Sequence, residues 1–377
     1  MSFPFNKTSH MQDEIAPLTS FRFITAFMVF ISHCGDFIGL KFGVPLLDAL
    51  VSNSSAFITG FFVLSGYILT YVYSGRDFSS KEQLFKFYLK RFARIYPVYI
   101  FATFVFFFIF KPSNFTSFDW LRVIVNDVFL TQSFFLNMDD MGLNCITWSI
   151  SVEAFFYLVF PLIMLFFARR PKILLVISLL LSFIVTVNLI GDLHTAEENV
   201  RRLSLYYAHP LFRLNEFMLG ISFYLMHKNG SLQQMPRVLK SNLLVFALLI
   251  GLTVSDFSNQ DHSHMGAHFF ITPLFGLLIW NFHCMKTGVF KNSFILNYLG
   301  RISYSFYVWQ FIAVIIGVVI KRLYAVDPIY ITLIILPLNV IISALSYHYI
   351  EEPCRRLILQ YSNWSSFFAG QRRADLN

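Results

Sequence analysis

Seven ionisable side chains stand inside or at the edge of long apolar stretches of this 377-residue chain: Arg22, His33, Glu153, Arg213, Glu216, His268 and Arg301. In hydrocarbon each costs at least about 2.5–3.5 kcal/mol, so each marks a candidate for chemistry or for a structural ion pair. His33 offers a general base or a nucleophile, and Glu153 a carboxylate able to hold and polarise an imidazole. Arg22 and His33 are eleven residues apart. On a helix that spacing is about 16 Å of rise and nearly a whole number of turns, so both fall on one face. Hydropathy places His33 and Glu153 each five residues inside the outer end of its segment, which predicts a shared depth. The competing reading is a packed core histidine and a structural ion pair. Asp36, one turn beyond His33, fits a solvated helix end.

A second cluster lies in KEQLFKFYLKRFARIYP, residues 81–97. Arg91 and Arg94 are three apart and are neighbours on a helix. If this helix enters the membrane from the cytoplasm, the positive end of its dipole faces the same way. A helix N-terminus with adjacent arginines suits a phosphate-bearing ligand. Ordinary positive-inside charge accounts for Lys81, Lys86 and Lys90 and competes for the arginine pair.

The elements that position these groups follow from composition. Hydrophobic residues make up 56% of the chain and charged residues 13%, against about 25% charged in soluble domains. The mean hydropathy is +0.61. A disordered chain, a coiled coil, a disulfide scaffold and a routine soluble enzyme are excluded, which leaves an all-α, polytopic membrane bundle. At about 20 apolar residues per crossing, ten segments qualify: 17–38, 55–75, 95–111, 148–168, 173–191, 210–227, 242–255, 266–283, 298–320 and 329–350. The apolar stretch 123–136, interrupted by Asn126 and Asp127, reads as a re-entrant or interfacial piece. Residues 1–16 are polar and include Asp13 and Glu14, unlike a cleaved signal peptide. They form an N-terminal cytoplasmic segment, 17–350 the membrane domain and 351–377 a cytoplasmic tail. The net charge of +8 taken alone suggests an anionic partner. With the N-terminus inside, 19 of the 29 Lys and Arg residues fall in inner loops and termini and 7 in outer loops. That bias predicts both termini in the cytoplasm and assigns most of the charge to topology, not to nucleic acid.

Other features carry less. Arg213 and Glu216 read as an intrahelical pair. His262, His264 and His268 read as a solvated loop and helix end, and the four cysteines have no metal-ligand spacing, so no metal site is expected. Ser65 in FFVLSGYIL lacks the nucleophile-elbow glycine pattern, and there is no phosphate-cradling glycine loop.

The motifs together resemble the membrane acyltransferase-3 family. LTSFRFITAFMVFISH (18–33) has its Arg-x10-His pattern, FFVLSGYIL (61–69) is similar to its second-helix segment, and KRFARIYPVY (90–99) to its Arg-x-x-Arg motif. TWSISVEAFFYLVFP (147–161), RLNEFMLG (213–220), RISYSFYVWQ (301–310) and YIEEPCRR (349–356) match later signatures. They keep family order over residues 18–356. The resemblance implies transfer of an acyl group, usually acetyl, from cytoplasmic acetyl-CoA to a hydroxyl. Surface glycans such as lipopolysaccharide O-antigen, exopolysaccharide or peptidoglycan, or a lipid-linked precursor, are the implied acceptors, and the bacterial inner membrane the implied location. Acetyl-CoA would be a substrate and not a resident cofactor. The resemblance also makes His33 the catalytic histidine with Arg22 as its motif partner and Glu153 in support. It makes Arg91 and Arg94 the CoA-phosphate residues, with Ser65 and Gly66 in the same donor region, and Trp148, Tyr304 and Glu351 supporting positions.

This sequence departs from the pattern twice. Gln310 stands where many members carry histidine. Residues 351–377 hold no esterase-like domain of the kind some glycan-modifying members carry, so direct hand-over of the acyl group, or hand-over through another protein, is expected. Two rival readings stay open: an acyltransferase for a small-molecule or antibiotic hydroxyl, and a proton-coupled transporter.

Overall fold

A computed structural model describes residues 15–109, 117–134, 144–193, 205–254 and 267–360. His262, His264, Arg201 and Arg202 lie outside them, as do residues 1–14 and 361–377. The described chain is helical, without a strand. The helices are α1 (Ala16–His33), α2 (Pro45–Asn53), α3 (Phe57–Tyr73), α4 (Lys81–Ile109) and α5 (Ser117–Phe129). Next come α6 (Trp148–Phe167), α7 (Pro171–Leu193), α8 (Pro210–Lys228), α9 (Asn242–Val254) and α10 (His268–His283). The short α11 (Val289–Asn292), the long α12 (Phe294–Tyr324) and α13 (Pro328–Ser346) complete the series. A π-helical turn, Cys34–Ile38, continues α1, and another, Tyr347–Glu351, continues α13.

Each of the ten predicted segments carries a helix, but seven helical stretches are long and apolar enough to cross a membrane. The three that fall short are α8, α9 and α10. At 1.5 Å per residue the 13 residues of α9 and the 16 of α10 rise about 20 and 24 Å, less than a hydrocarbon core of about 30 Å. Helix α8 has 19 residues but carries Arg213, Glu216 and Lys228.

Helix starts follow local chemistry. Proline in the first turn opens α1, α2, α8 and α13, where its missing N–H costs nothing. Asp327 accepts from the Ile329 N–H and Ser293 from the Leu296 N–H, which satisfies donors a helix N-terminus leaves open.

The polar pattern is turned inward. On α7, Ser178, Ser182 and Thr186 are buried, while Ile173, Val176, Leu180, Phe183, Ile184 and Val187 are exposed. On α5, Asn126 and Asp127 are buried and Leu121, Val125 and Phe129 exposed. The two residues that interrupt the apolar run at 123–136 therefore face the protein. There the Tyr99 hydroxyl donates to the Asp127 carbonyl (2.9 Å), and the Gln132 amide donates to Tyr99 (3.1 Å). A bundle whose surroundings are apolar places its hydrogen-bonding groups inside.

Helices α1 and α12 run parallel. Gly300 lies against the Thr19 carbonyl near their starts, and the Lys321 ammonium donates to the Ile38 carbonyl near their ends (2.7 Å). Helices α3 and α8 approach most closely. A Cβ on Gly66 would stand 2.1 Å from the Phe217 carbonyl oxygen, and one on Gly220 2.0 Å from the Val63 carbonyl oxygen. Only two glycines facing each other's backbones allow that spacing. The core around them is an aromatic ladder: Phe62 edge-on to Phe156, Phe156 stacked on Phe217 at 4.7 Å, and Phe87 stacked on Phe160 at 5.5 Å.

Gly66→Ala and Gly220→Ala are therefore expected to destabilise the protein by about 1–3 kcal/mol each, because the backbones must part. Gly251→Ala on α9, with nothing within 4 Å of the added atom, is expected to be neutral or slightly stabilising. Thermal unfolding of the three purified variants in one detergent tests this; equal midpoints would refute the close approach.

Candidate active site

The arginines and the glutamate singled out by the sequence come together around an internal cavity of about 120 Å³. Arg22 enters from α1, Ser65 from α3, Arg91 and Arg94 from α4, Glu153 and Tyr157 from α6, and Tyr304 and Tyr307 from α12. The wall contributed by α3 is Ile58, Phe61, Phe62, Ser65, Ile68 and Leu69. These positions repeat every three to four residues and so form one face of the helix over about 15 Å. The cavity is thus elongated along the bundle.

Each charged group has an anchor. Arg94 forms an ion pair with the buried Glu351, and its guanidinium lies 5.7 Å from the Tyr304 ring centre. Glu351 also accepts from the Ser305 hydroxyl (2.7 Å). The Tyr304 hydroxyl donates to the Ile95 carbonyl (2.5 Å), tying α12 to α4 one residue beyond Arg94. Arg91 donates to the Tyr73 hydroxyl (3.3 Å) and lies 5.4 and 5.6 Å from the ring centres of Tyr73 and Tyr157. The Glu153 carboxylate accepts from the Ser65 hydroxyl at 3.2 Å and from the Tyr157 hydroxyl. Cations held over aromatic faces beside a hydrogen-bonded carboxylate make a cavity that can receive an anionic ligand and orient it.

Tyr157 and Tyr73 are the partners that residue spacing did not single out. Tyr157 stands four residues after Glu153, on the same face of α6, so a search for hydroxyls at helical spacing from the carboxylate would have found it. Tyr73 reaches Arg91 from another helix, and no local spacing reveals that.

The remaining residues stand around the cavity. Trp148 is buried at the start of α6, against Tyr207 (4.9 Å) and edge-on to Phe62 (6.3 Å). Gly66 turns away from the cavity toward α8. Arg213, Glu216 and His268 form a separate buried cluster: Glu216 accepts from Thr59 (2.8 Å), lies 3.1 Å from the Arg213 guanidinium and 3.5 Å from His268.

His33 does not line the cavity. It sits at the last α-helical position of α1, on the face of Arg22 and about 16 Å further along the axis. Its ring is half-buried, with Nδ1 buried and without a partner among the described residues. The shared depth expected for His33 and Glu153 is corrected: Glu153 is level with Arg22. The reason lies before α6. Asn144 donates to the Val308 carbonyl (3.1 Å), and the Tyr307 hydroxyl donates to the Ile146 carbonyl (2.8 Å). The chain thus dips into the bundle, and α6 starts beside residues 307–308 of α12. Sixteen further residues of α12, about 24 Å, lie beyond that level. The end of the cavity at Phe61 nevertheless reaches the surroundings of His33, because Phe61 packs against the cluster of Phe30, Cys34 and Phe306.

The family model described as an acyltransferase domain matches residues 17–348. The chain belongs to this family and is an acyltransferase with several membrane-spanning helices. It is 27% identical over 371 residues to the acyltransferase MdmB of Streptomyces mycarofaciens, covering 90% of this chain and 92% of that protein. It is also 27% identical over 351 residues to a Staphylococcus aureus (strain MRSA252) protein whose name provisionally assigns it O-acetyltransferase activity. That match covers 82% of this chain and 54% of the staphylococcal protein, so the chain spans about half of that relative's length. An uncharacterised Haemophilus influenzae protein is 26% identical over 203 residues, 50% of this chain and 82% of that protein. No solved structure matches.

Removing the Glu351 carboxylate leaves the Arg94 charge without its partner. Glu351→Ala is expected to cost about 3–5 kcal/mol, and Arg94→Ala with Glu351→Ala less than the sum of the two single changes. A double-mutant cycle on thermal unfolding reads this; additive effects would show that the pair contributes no coupling.

Proposed function

We propose that the protein is a membrane O-acyltransferase that moves an acetyl group from cytoplasmic acetyl-CoA to a hydroxyl of a surface or lipid-linked glycan. In this reading the chain crosses the bacterial inner membrane ten times, with both termini in the cytoplasm; α8, α9 and α10 make the short crossings, packed among longer helices. The observation that carries the reading is the elongated cavity, with Arg22, Arg91 and Arg94 at one end and Phe61, beside the His33 cluster, at the other.

Arg91 and Arg94 bind the CoA phosphates by charge-assisted hydrogen bonds. The pantetheine arm lies along the apolar face of α3 and brings the thioester toward His33. The acceptor hydroxyl gives its proton to the His33 imidazole, its oxygen bonds to the acyl carbon, the carbon–sulfur bond breaks, and the CoA thiolate takes up the proton. Glu153, held by Ser65 and Tyr157, orients the arginine-lined end, and Arg22 neutralises negative charge there.

His33→Ala is expected to abolish transfer in a protein that still folds and inserts. The check is glycan-bound acetate in membranes expressing each form; full activity in the variant would sink the assignment. Transfer to a small-molecule hydroxyl with unchanged glycan acetylation would favour the small-molecule acceptor instead.

Arg91→Ala leaves the Arg94–Glu351 pair intact and is expected to raise the KM for acetyl-CoA by about tenfold or more, with a smaller change in kcat. Steady-state kinetics and direct acetyl-CoA binding to purified protein measure it. Unchanged affinity would reduce the arginine to a topological charge, and absence of acetyl-CoA binding by the wild type would favour a transporter.

A further inference from the structure

One turn of α12 carries polar atoms that the donor side of this reaction leaves unused. Gln310 is fully buried, and neither its amide nitrogen nor its carbonyl oxygen has a partner among the described residues. An amide in that state is costly in an apolar interior. Its neighbours along α12 face α1, α2 and α13 through an apolar cluster of Phe30, Cys34, Ile38, Phe306, Ala313 and Val314.

Packing puts Gln310 and His33 at one level. Phe30, three residues before His33, is edge-on to Phe306, four residues before Gln310, at 5.7 Å. Phe37, four residues after His33, is edge-on to Phe311, the residue after Gln310, at 5.4 Å. The two contacts bracket His33 on α1 and Gln310 on α12, and the helices run parallel between them. His33 Nδ1 is buried and also without a partner. Two apposed helices therefore present, within about one turn, an imidazole nitrogen, an amide donor and an amide acceptor with no protein group to satisfy them.

These three groups complement two hydroxyls on adjacent carbons. One hydroxyl donates to the imidazole and accepts from the Gln310 N–H; its neighbour donates to the Gln310 carbonyl. We propose that Gln310 is an acceptor-binding residue that seats a vicinal diol with one hydroxyl against His33, so that the acceptor is a polyol of carbohydrate type. The inference rests on the acyl-transfer reading and concerns only its acceptor. A histidine at this position presents its two ring nitrogens in widely diverging directions and cannot meet adjacent hydroxyls side by side. Glutamine here thus sets an acceptor preference that a histidine would not.

The test uses the full-length protein in nanodiscs with acetyl-CoA, offering cis-cyclohexane-1,2-diol or cyclohexanol as acceptor and measuring ester formation and CoA release. The wild type is expected to favour the diol in kcat/KM by about tenfold or more. Gln310→Met is expected to lose that preference through the acceptor KM, with the acetyl-CoA KM unchanged. Because it replaces an unpaired amide by an apolar chain of similar size, its thermal midpoint should stay level or rise. Gln310→His should keep transfer and lose the preference. A wild type that turns over acetyl-CoA without favouring the diol, or a Met variant that keeps the preference, overturns the inference. A wild type that neither binds nor turns over acetyl-CoA overturns the acyl-transfer reading itself.

Discussion

The contact between Arg94 and Glu351 joins the start of the bundle to its end, and the cavity takes its shape from it. It clamps α4 to the turn that follows α13, and α12 is held between them by Tyr304 on the Ile95 carbonyl and Ser305 on Glu351. A charge pair in a low-dielectric interior adds little net stability over a well-packed apolar pair. It does fix which residues meet, since any other register leaves both charges unpaired. The Arg94 guanidinium is held at the cavity wall by this constraint, and Arg91 and Glu153 are set by aromatic hydroxyls around it.

The protein separates two environments along one face of α1. Arg22 lies at the end where arginines, a carboxylate and tyrosine hydroxyls gather. His33 lies at the end where phenylalanines and a buried glutamine surround it. A polar phosphate-bearing group suits the first and a thioester the second, and the wall of α3 connects them. An imidazole shielded by apolar rings is kept neutral, the form a general base requires.

Much of this was legible in the sequence. The helical period alone puts Arg22 and His33 on one face and makes neighbours of Arg91 and Arg94, because both are local geometry. The ten apolar segments each became a helix. What hydropathy could not supply is level. It counts apolar residues from each segment's own end, and the ends do not share a plane: α6 starts beside residue 307 of α12, so Glu153 sits with Arg22 instead of His33. It also reads Asn126 and Asp127 as breaks in an apolar run, whereas inward-facing polar groups are what a lipid-facing helix requires. The tyrosine that holds Arg91 comes from another helix, and no spacing within one segment can reveal such a partner.

The two π-helical turns have a consequence for how this chain can vary. Cys34–Ile38 begins at the residue after His33, and Tyr347–Glu351 ends on the partner of Arg94. A π turn holds one residue more than the α-helix it interrupts, so the face presented beyond it is rotated by about 100° relative to an uninterrupted helix. Losing a single residue from Cys34–Ile38 would wind the segment back to α and turn the Ile38 carbonyl away from Lys321. The same loss after Ser346 would swing Glu351 off Arg94. At both ends of the reaction path the chain is therefore tolerant of changes in side-chain type and intolerant of changes in length. Comparisons that slide one residue through either turn would misplace the acid or the strap of α12, however well the flanking helices align.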